Sequence, residues 1–493
     1  MRDFLFSLKL DSDSTLQTQL RRQLVAAIEN RQLLPGQPVP SSRRLAKQLS
    51  VARNTIMLAY QALVEQGLLE SRERSGFYVT ENLNLPATPR AVDPAYADEE
   101  PVAGIDWDRR MARRPSIQRI VTKPLDWPSY RYPFIYGQID PTLFPLAAWR
   151  ECSRQALAKL AVSQWSIDNV MVDDALLLEQ LRTRVLPSRG VRASDDEILI
   201  TMGAQNALSL LSSLLFRRGV HVGMENPGYV DAFNIFALRV GAIDLLEVDS
   251  SGLVLGPALS HCDYVYVTPS HQSPTTVTMP LERRLALLEQ AEQDDFIIIE
   301  DDYEGEMNFV GSPTPSLKSL DRTGRVVYIG SLSKSFAPGL RLGYLVASTR
   351  LIEEARLLRR LVLRHPPTNN QLTAALFLAD GHFTSHLNRL HRVYRERWQI
   401  MRDALEQHLP HAASAPTFGG TSFWVTGPAD LDAESLARDA LNAGLIIEPG
   451  SIFFLGQDRP ANHFRLGFSA IPSDRIEPGI RLLADLIRAK RDP

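Results

Sequence analysis

The chain has 493 residues, of which 44% are hydrophobic and 23% charged, so it is long enough for two or three globular domains and too apolar for wholesale disorder. Its two cysteines exclude a disulfide framework, and no apolar run is long enough to cross a bilayer, so we expect a cytoplasmic protein without membrane contact. Residues 1–80 carry 11 Lys/Arg against 7 Asp/Glu, whereas the remainder carries 43 against 50. A basic N-terminal segment in an otherwise acidic chain is a modest indication that this segment binds nucleic acid.

Residues 1–80 predict three helices followed by a hairpin. An apolar residue at every fourth position from Leu16 to Ile28 predicts an amphipathic helix that "LLPGQ" ends. Ser41 offers an N-cap to a second helix, "SRRLAKQLS", and a third helix in "RNTIMLAYQALVEQG" ends at Gly67. The stretch "LLESRERSGFYVT" predicts two short strands. Together these elements have the order of a winged helix-turn-helix domain.

The second helix of such a pair enters the major groove with its N-terminus first. Arg53, Asn54 and Thr55 begin that helix, and Arg and Asn are residue types that read base edges. Five further residues are of types that hold phosphates, namely Ser42, Arg43, Arg44, Lys47 and Arg74. The pattern alone also fits a small helical interaction module whose polar residues are solvated.

The stretch "LLPGQPVPSSRRLAKQLSVARNTIMLAYQALVEQGLL" resembles a GntR-type winged helix along nearly its whole length. The resemblance implies operator DNA as a partner and favours that function over the interaction module. We therefore delimit a DNA-binding domain at 1–80, a Pro/Ala/acid-rich linker at 81–128 and a large domain at 129–493. The arginines of "DWDRRMARRPSIQRIVTK" in the linker are interpreted as a solvated charge run.

The large domain alternates strand-like and helical segments. The apolar runs "EILIT", "VHVGME", "YVYVT", "FIIIE" and "VVYIG" are each followed by a polar motif. Alternation with nearly continuous apolar strands predicts an α/β fold, with a mostly parallel sheet that helices cover on both faces. In such sheets, ligands bind beyond the carboxyl ends of the strands, where these motifs stand.

Three of the motifs have the groups that the ring of pyridoxal phosphate requires. Lys334, in "SLSKSFAPGLR", offers an amine for the aldehyde, and Asp301 or Asp302, in "FIIIEDDYEGE", offers a carboxylate for the ring nitrogen. Tyr303 is available for the phenolate oxygen, and Tyr229, in "ENPGYVDAF", for stacking on the ring face. Each signal is weak when taken singly, because such residues are usually solvated or structural.

The phosphate requires hydrogen-bond donors and positive charge. Ser331 and Arg341 flank the lysine, and "TMGAQNAL" presents backbone N–H groups at Ala204 and Gln205, where a helix begins. The combination of these motifs, each behind a strand, predicts a pyridoxal phosphate site; no metal site is predicted.

This order of motifs resembles the class I aminotransferase fold, a fold type I pyridoxal phosphate domain. Its union with a GntR-type head resembles the MocR/GabR-type transcriptional regulators over nearly the whole chain. The resemblance implies that Lys334 carries the cofactor, that Asp301 faces the ring nitrogen and that Tyr303 faces the phenolate oxygen. It also implies that Arg465, in "HFRLGFSAI", holds the α-carboxylate of an amino-acid ligand, a role that suits a bidentate guanidinium.

Two stretches depart from the family pattern. Thr276, in "SHQSPTTVTM", stands where family members have glycine. The stretch "WSIDNVMVDDALLLEQLRTRVLPSRG" lacks a tyrosine and glycines that, in related enzymes, contribute to the neighbouring subunit's active site. The second departure leaves cofactor binding intact but counts against efficient transamination.

The sequence therefore predicts a homodimeric transcription regulator that binds operator DNA and senses an amino acid or amine through bound pyridoxal phosphate. One alternative is a working aminotransferase with an incidental DNA-binding appendage. A second is a regulator whose enzyme-like domain has lost its cofactor and serves only for dimerisation. The sequence names neither the effector nor the operator.

Overall fold

The computed structural model describes residues 6, 8, 14–73, 75–83, 105–311, 314–413 and 419–491, and all structural statements below concern these residues. The chain divides into two compact units, Met1–Met111 and Ala112–Pro493, with the division inside the segment 81–128.

The first unit has the predicted winged helix-turn-helix order. Its helices are α1 (Leu16–Glu29), α2 (Ser42–Leu49), α3 (Arg53–Glu65) and the short α4 (Trp107–Arg110), and its strands are β1 (Leu69–Arg72) and β2 (Gly76–Val79). Ser41 caps α2 as predicted, with its Oγ accepting from the backbone N–H of Arg44 at 3.3 Å. Gly67 follows α3 at φ +71°, the left-handed conformation that glycine adopts without strain.

Tyr60 fixes helix α3 to the rest of the first unit. The side chain is fully buried, and its hydroxyl donates to the carbonyl of Pro40 at 2.7 Å. Its ring lies edge-on to Phe77 of strand β2, with 5.2 Å between the centroids. Helix α3 and the antiparallel hairpin of β1 and β2 therefore share one core, which sets the orientation of the exposed helix face.

The second unit is built on an eight-stranded sheet. In chain order its strands are β4 (Ile198–Thr201), β5 (Val222–Asn226), β6 (Ile243–Asp249), β7 (Gly252–Leu253), β8 (Tyr264–Val267), β9 (Ile297–Asp302), β10 (Val326–Ser331) and β11 (Gly343–Val346). The spatial order is β4–β11–β10–β9–β8–β5–β6–β7, and only β11 and β7 run against the others. The predicted, mostly parallel sheet is confirmed.

Helices surround this sheet, and a smaller sheet follows it in the chain. The α-helices of the second unit are α5 (Leu146–Ala156), α6 (Lys159–Trp165), α7 (Ala175–Gln180), α8 (Leu186–Ser188), α9 (Ala204–Leu215), α10 (Val230–Ala237), α11 (Leu281–Gln293), α12 (Leu317–Leu320), α13 (Thr349–Leu363), α14 (Thr368–Ala379), α15 (His382–His408), α16 (Ala433–Asn442) and α17 (Ser473–Arg491). The remaining strands are β3 (Tyr132–Pro133), β12 (Ser422–Thr426), β13 (Leu445–Ile446), β14 (Glu448–Pro449) and β15 (His463–Gly467). Separate apolar clusters line the two faces of the large sheet. Within the described residues, none of the helices combines the length and apolar character needed to span a bilayer.

The segment 112–123 packs within the second unit. Arg119 donates from Nη1 to the carbonyl of Phe454 at 2.7 Å and from Nη2 to that of Leu455 at 3.2 Å. The Gln118 side chain donates to the carbonyl of Asn234 in α10, and the Asn234 side chain donates in return to the carbonyl of Arg119. The interpretation of these arginines as a solvated charge run is therefore wrong for Arg119, because carbonyl groups left unpaired by the loop before β15 bind its guanidinium.

Thr276 adopts the conformation that a glycine would take. Its φ is +65°, its side chain is buried, and its backbone N–H donates to the carbonyl of Gln272 at 2.7 Å. A β-branched residue in the left-handed region is strained, so the surrounding loop keeps this turn although the side chain disfavours it.

Candidate functional site

The polar motifs of the second unit meet in one cavity of about 280 Å³. It is lined by all nine residues that the sequence assigned to the cofactor or its ligand, namely Ala204, Gln205, Tyr229, Asp301, Tyr303, Ser331, Lys334, Arg341 and Arg465. Eight of these lie at or just beyond the carboxyl ends of β4, β5, β9 and β10, whereas Arg465 comes from β15 of the smaller sheet.

Lys334 presents its amine to the cavity. The Nζ atom lies 3.9 Å from the ring centroid of Tyr136. Gly137 leaves room for it, because a Cβ atom at that position would approach Nζ to 2.9 Å, and the backbone there has φ +76°. Burial lowers the pKa of Lys334 to about 8, so a substantial fraction of the amine is neutral near physiological pH. The neutral amine is the form that reacts with an aldehyde.

Asp301 is a buried carboxylate with one unpaired oxygen. Its Oδ2 accepts from the hydroxyl of Tyr266 at 2.8 Å, whereas Oδ1 has no partner among the described residues. Burial, together with the charge of Asp302, raises the pKa of Asp301 to about 7. A protonated pyridine nitrogen would supply the missing donor and positive charge, so the carboxylate fits the ring of pyridoxal phosphate.

Helix α9 and Arg341 form the anion-binding end of the cavity. Ala204 and Gln205 are the first residues of this twelve-residue helix, whose N-terminal N–H groups attract negative charge. Arg341 donates from Nη2 to the carbonyl of Met202 at 2.9 Å. A Cβ atom at Gly203 would lie 3.2 Å from that Nη2, so glycine leaves the guanidinium its place. Ser331, the last residue of β10, also lines the cavity, and this set of donors fits a phosphate.

The two tyrosines predicted to contact the ring reach the cavity with their hydroxyls already bonded. Tyr303 donates to the carbonyl of His271 at 2.7 Å, so a contact with a phenolate oxygen would have to replace or share that bond. Tyr229 precedes α10, and its hydroxyl accepts from Gln205 Nε2 at 3.3 Å. Their roles toward the ring remain predictions.

Arg465 carries an ion pair that the sequence did not predict. Its Nε and Nη2 atoms lie 2.8 and 2.7 Å from one oxygen of Glu448, Oε2, and the two residues are direct cross-strand partners on β15 and β14. Its Cζ lies 4.0 Å from the ring centroid of Tyr136 and 4.6 Å from that of Phe453. An internal carboxylate therefore occupies the Nε/Nη2 side of this guanidinium, and the role of Arg465 toward an α-carboxylate remains a prediction.

Glu448 has three polar partners, which are Arg465, Lys123 and the backbone N–H of Tyr136. Its other oxygen, Oε1, lies 3.2 Å from Lys123 Nζ and accepts from the backbone N–H of Tyr136 at 3.2 Å. Burial opposes ionisation of this side chain, but the positive charges of Arg465 and Lys123 outweigh it and hold the pKa of Glu448 below its usual value. The residue is therefore an anion at neutral pH.

Several cavity residues were not assigned from the sequence. They include Lys123, Tyr136, Gly137, Asp231, Ser333 and Phe453. Ser333 and Asp231 lie inside motifs that the sequence did reveal, next to the assigned lysine and tyrosine. The others come from distant segments without a motif, and no local pattern distinguishes them.

The polar surface of the first unit lies on α2 and the start of α3. Arg43, Arg44, Lys47, Arg53 and Asn54 are exposed, and Ser42 and Thr55 are half-buried. Arg53 Nε donates to the Ser42 hydroxyl at 3.2 Å, which orients the guanidinium at the helix start. Arg74 lies outside the described residues. The individual DNA contacts remain predictions.

Comparisons with known proteins agree with both units. Residues 16–79 match the family "Bacterial regulatory proteins, gntR family", and residues 174–483, more than half of the chain, match "Aminotransferase class I and II". The chain is 42% identical over 485 residues to the HTH-type transcriptional regulator TauR of Rhodobacter capsulatus, covering 98% of this chain and 99% of that protein. The chain belongs to the MocR-type transcriptional regulators. It is 30% identical over 485 residues to the probable rhizopine catabolism regulatory protein MocR of Rhizobium meliloti, with 96% and 94% coverage.

The second unit of this MocR-type regulator also resembles solved enzymes. Pyrococcus horikoshii kynurenine aminotransferase, solved in complex with PMP, aligns with a TM-score of 0.71 and 28% identity, covering 78% of this chain and 98% of that one. The regulator is thus a DNA-binding transcription regulator whose large domain has the pyridoxal phosphate-dependent aminotransferase fold.

The lowered pKa of Lys334 predicts its chemical reactivity. In cofactor-free protein, acylation of Lys334 should rise with pH and reach half its maximum at about pH 8, because only the deprotonated amine reacts. In the unfolded chain, the same lysine should titrate near ~10.4. Mass spectrometry of the Lys334 peptide after brief acylation measures both curves, and a folded-state midpoint above pH 10 would contradict the buried environment.

Substitutions at the start of α3 are expected to weaken sequence-specific DNA binding. Arg53→Ala or Asn54→Ala should each weaken specific binding by about 1–3 kcal/mol if the residue contacts a base edge. Arg22→Ala, which removes an exposed charge from α1, serves as the control and should change affinity much less. Fluorescence anisotropy with DNA selected from random sequence measures the affinities. Unchanged affinity in both α3 variants would place base reading elsewhere.

Proposed function

We propose that this regulator senses an amino acid or another primary amine through pyridoxal phosphate held in the cavity, and that ligand binding changes its affinity for operator DNA. The observation that carries the proposal is the meeting of the Lys334 amine and the unpaired Asp301 oxygen in one cavity, in a chain that also has a winged helix. The proposal places the protein in the cytoplasm, where operator DNA and free amines are both present.

The chain's own residues supply binding and orientation in this proposal. When bound, pyridoxal phosphate supplies an aldehyde that combines reversibly with primary amines. Lys334 would hold the aldehyde covalently until an amine replaces it, and Asp301 would keep the ring nitrogen protonated. Arg341 and the N-terminus of α9 would anchor the phosphate, so that the ligand exchanges while the cofactor stays.

The segment 112–123 offers a route from the cavity toward the DNA-binding unit. Lys123 lines the cavity, pairs with Glu448 and donates to the carbonyl of Tyr136. The chain crosses from the first to the second unit at Met111, only twelve residues earlier. A ligand that binds one arrangement of this segment more tightly than another would alter the restraint on the linker, and the difference in affinity sets the size of the effect.

A homodimer is part of the proposal. Asp168, which follows α6, pairs with Arg364, which follows α13, and the two helices carry large exposed apolar side chains, including Leu160 at 74% and Leu361 at 78% exposure. Large exposed apolar side chains are typical of a protein interface, and a second copy would bring two winged helices to paired half-sites. Light scattering should give the mass of two chains, and a single-chain mass at micromolar concentration would contradict the homodimer.

Coupling between the two ends tests the sensing function. For a ligand that shifts the absorbance of the bound cofactor, its affinity should change with saturating operator DNA by the same factor as operator affinity changes with saturating ligand. A coupling of about 5–150-fold is typical of allosteric proteins. Equal affinities with and without DNA would favour an aminotransferase tethered to a DNA-binding domain.

Lys334→Ala is the matched control for that experiment. It should bind operator DNA normally but lose the borohydride-fixable cofactor and the response to amines, whereas Lys159→Ala, which removes an exposed lysine on α6, should keep both. An assay for amino transfer to a keto acid distinguishes turnover from sensing.

A further inference from the structure

Three side chains of different chemistry lie together where helix α5 packs against the turn between α14 and α15. Cys152 is on α5, Asp380 follows the last residue of α14, and His382 begins α15. One ligand atom of each, which is a thiol sulfur, a carboxylate oxygen and an imidazole nitrogen, lies within 4.8 Å of those of the other two. None of the three residues lines the cavity that contains Lys334.

Aromatic packing fixes the positions of these groups. Trp149 of α5 and Phe377 of α14 lie 5.7 Å apart between ring centroids. The ring of Phe377 in turn lies 5.5 Å from that of His382. Gly381, at φ +77°, forms the tight turn that lets the Asp380 carboxylate and the imidazole approach each other. The ligand atoms are therefore brought together by packed helices and not by a long loop.

The three side chains are available to an ion. Cys152 is fully buried, His382 is half-buried and Asp380 is exposed, so the cluster opens to solvent on the carboxylate side. Neither the Asp380 carboxylate nor the His382 ring has a hydrogen-bond or ion-pair partner among the described residues. An ion would therefore bind without breaking an existing contact.

The donor set indicates which metal the cluster would bind. Thiolate, imidazole and carboxylate are the ligands that Zn²⁺ takes in proteins, whereas Mg²⁺ and Ca²⁺ take oxygen ligands. Bonds of about 2.3 Å to sulfur and about 2.0 Å to nitrogen and oxygen place tetrahedral ligand atoms about 3.3–3.6 Å apart. The exposed Asp380 side chain and the half-buried His382 ring have room to close the remaining distance.

We propose that Cys152, Asp380 and His382 form a binding site for a zinc ion that joins α5 to the turn between α14 and α15. On binding, the thiol loses its proton to solvent and the thiolate bonds the metal, while water takes the fourth position. The linked elements pack against Phe336, two residues after Lys334. Zinc should therefore stabilise the large domain around the lysine loop, whether or not the protein senses amines.

Metal binding by the full-length, cofactor-loaded protein tests the proposal after a chelator has removed bound ions. Cobalt(II) is the spectroscopic probe. Difference spectra should show the near-ultraviolet band of a cobalt–thiolate bond, which saturates at one ion per chain and disappears when zinc is added. X-ray absorption of the zinc-loaded protein should give one sulfur at about 2.3 Å. The unfolding temperature should rise with zinc concentration, because the folded chain binds the ion.

Substitutions address the ligands one at a time. Cys152→Ser should abolish the cobalt–thiolate band. Asp380→Asn and His382→Asn should each weaken zinc binding at least about tenfold, because losing even an indirect partner of a metal ligand typically costs about 10–100-fold in metal affinity. Cys262→Ser changes the other buried free cysteine and is the matched control, which should keep both the band and the affinity.

The proposal is overturned if the wild type shows no cobalt–thiolate band with cobalt in excess, or if Cys152→Ser keeps the band. Unchanged zinc affinity in both Asp380→Asn and His382→Asn would also overturn it, because the thiol would then hold an adventitious ion only. These two variants alter positions that solvent reaches, so they decide the question even if Cys152→Ser does not fold. None of these outcomes affects the proposed sensing through Lys334.

Discussion

The common direction of six strands in the large sheet is the constraint on which the cavity depends. Strands β4, β5, β6, β8, β9 and β10 all run the same way, and antiparallel β11 lies between β4 and β10. Their carboxyl ends therefore meet along one edge. Residues separated by more than a hundred positions, such as Ala204 and Lys334, line the same cavity because each follows one of these strands.

The two ends of the cavity differ in charge. At the phosphate end, Arg341 and the start of α9 offer positive potential, and the carboxylate of Asp231 meets Gln205. At the other end, Lys123, Glu448 and Arg465 form a chain of alternating charges that is satisfied within the protein. The first end is thus prepared for an external anion, whereas the second already contains an internal one.

In the proposed sensing function, Lys123 would connect the cavity with regulation. The lysine belongs to the segment 112–123, and Arg119 holds that segment to the loop that carries Phe454. A cavity wall supplied by the chain just after the DNA-binding unit is a physical reason for fusing the two functions in one polypeptide. An enzyme needs only a wall that closes over its substrate, whereas a regulator needs one whose arrangement depends on the ligand.

Local patterns in the sequence predicted the elements and eight of the residues that line the cavity, but not the ionic partners. The apolar runs, the caps at Ser41 and Gly67 and the motif around Lys334 are signals within a few residues, so they identify the winged helix, the strands and the carboxyl-edge residues. Family resemblance added Arg465, which no local pattern distinguishes.

The tertiary structure decided which groups Arg465 and Lys334 face. Glu448 pairs with Arg465 through the register of β14 and β15. Tyr136 and Lys123 belong to segments more than 300 residues before Arg465 in the sequence. Thr276 also shows the limit of prediction from local sequence. Its own conformational preference opposes the left-handed turn that the folded loop imposes. The sequence by itself determined the fold and the cofactor chemistry, since these depend on periodicity and residue type. The pairing of Arg465 with Glu448 depends on the register of β14 and β15 and on the burial of both charges, which only the folded chain brings about.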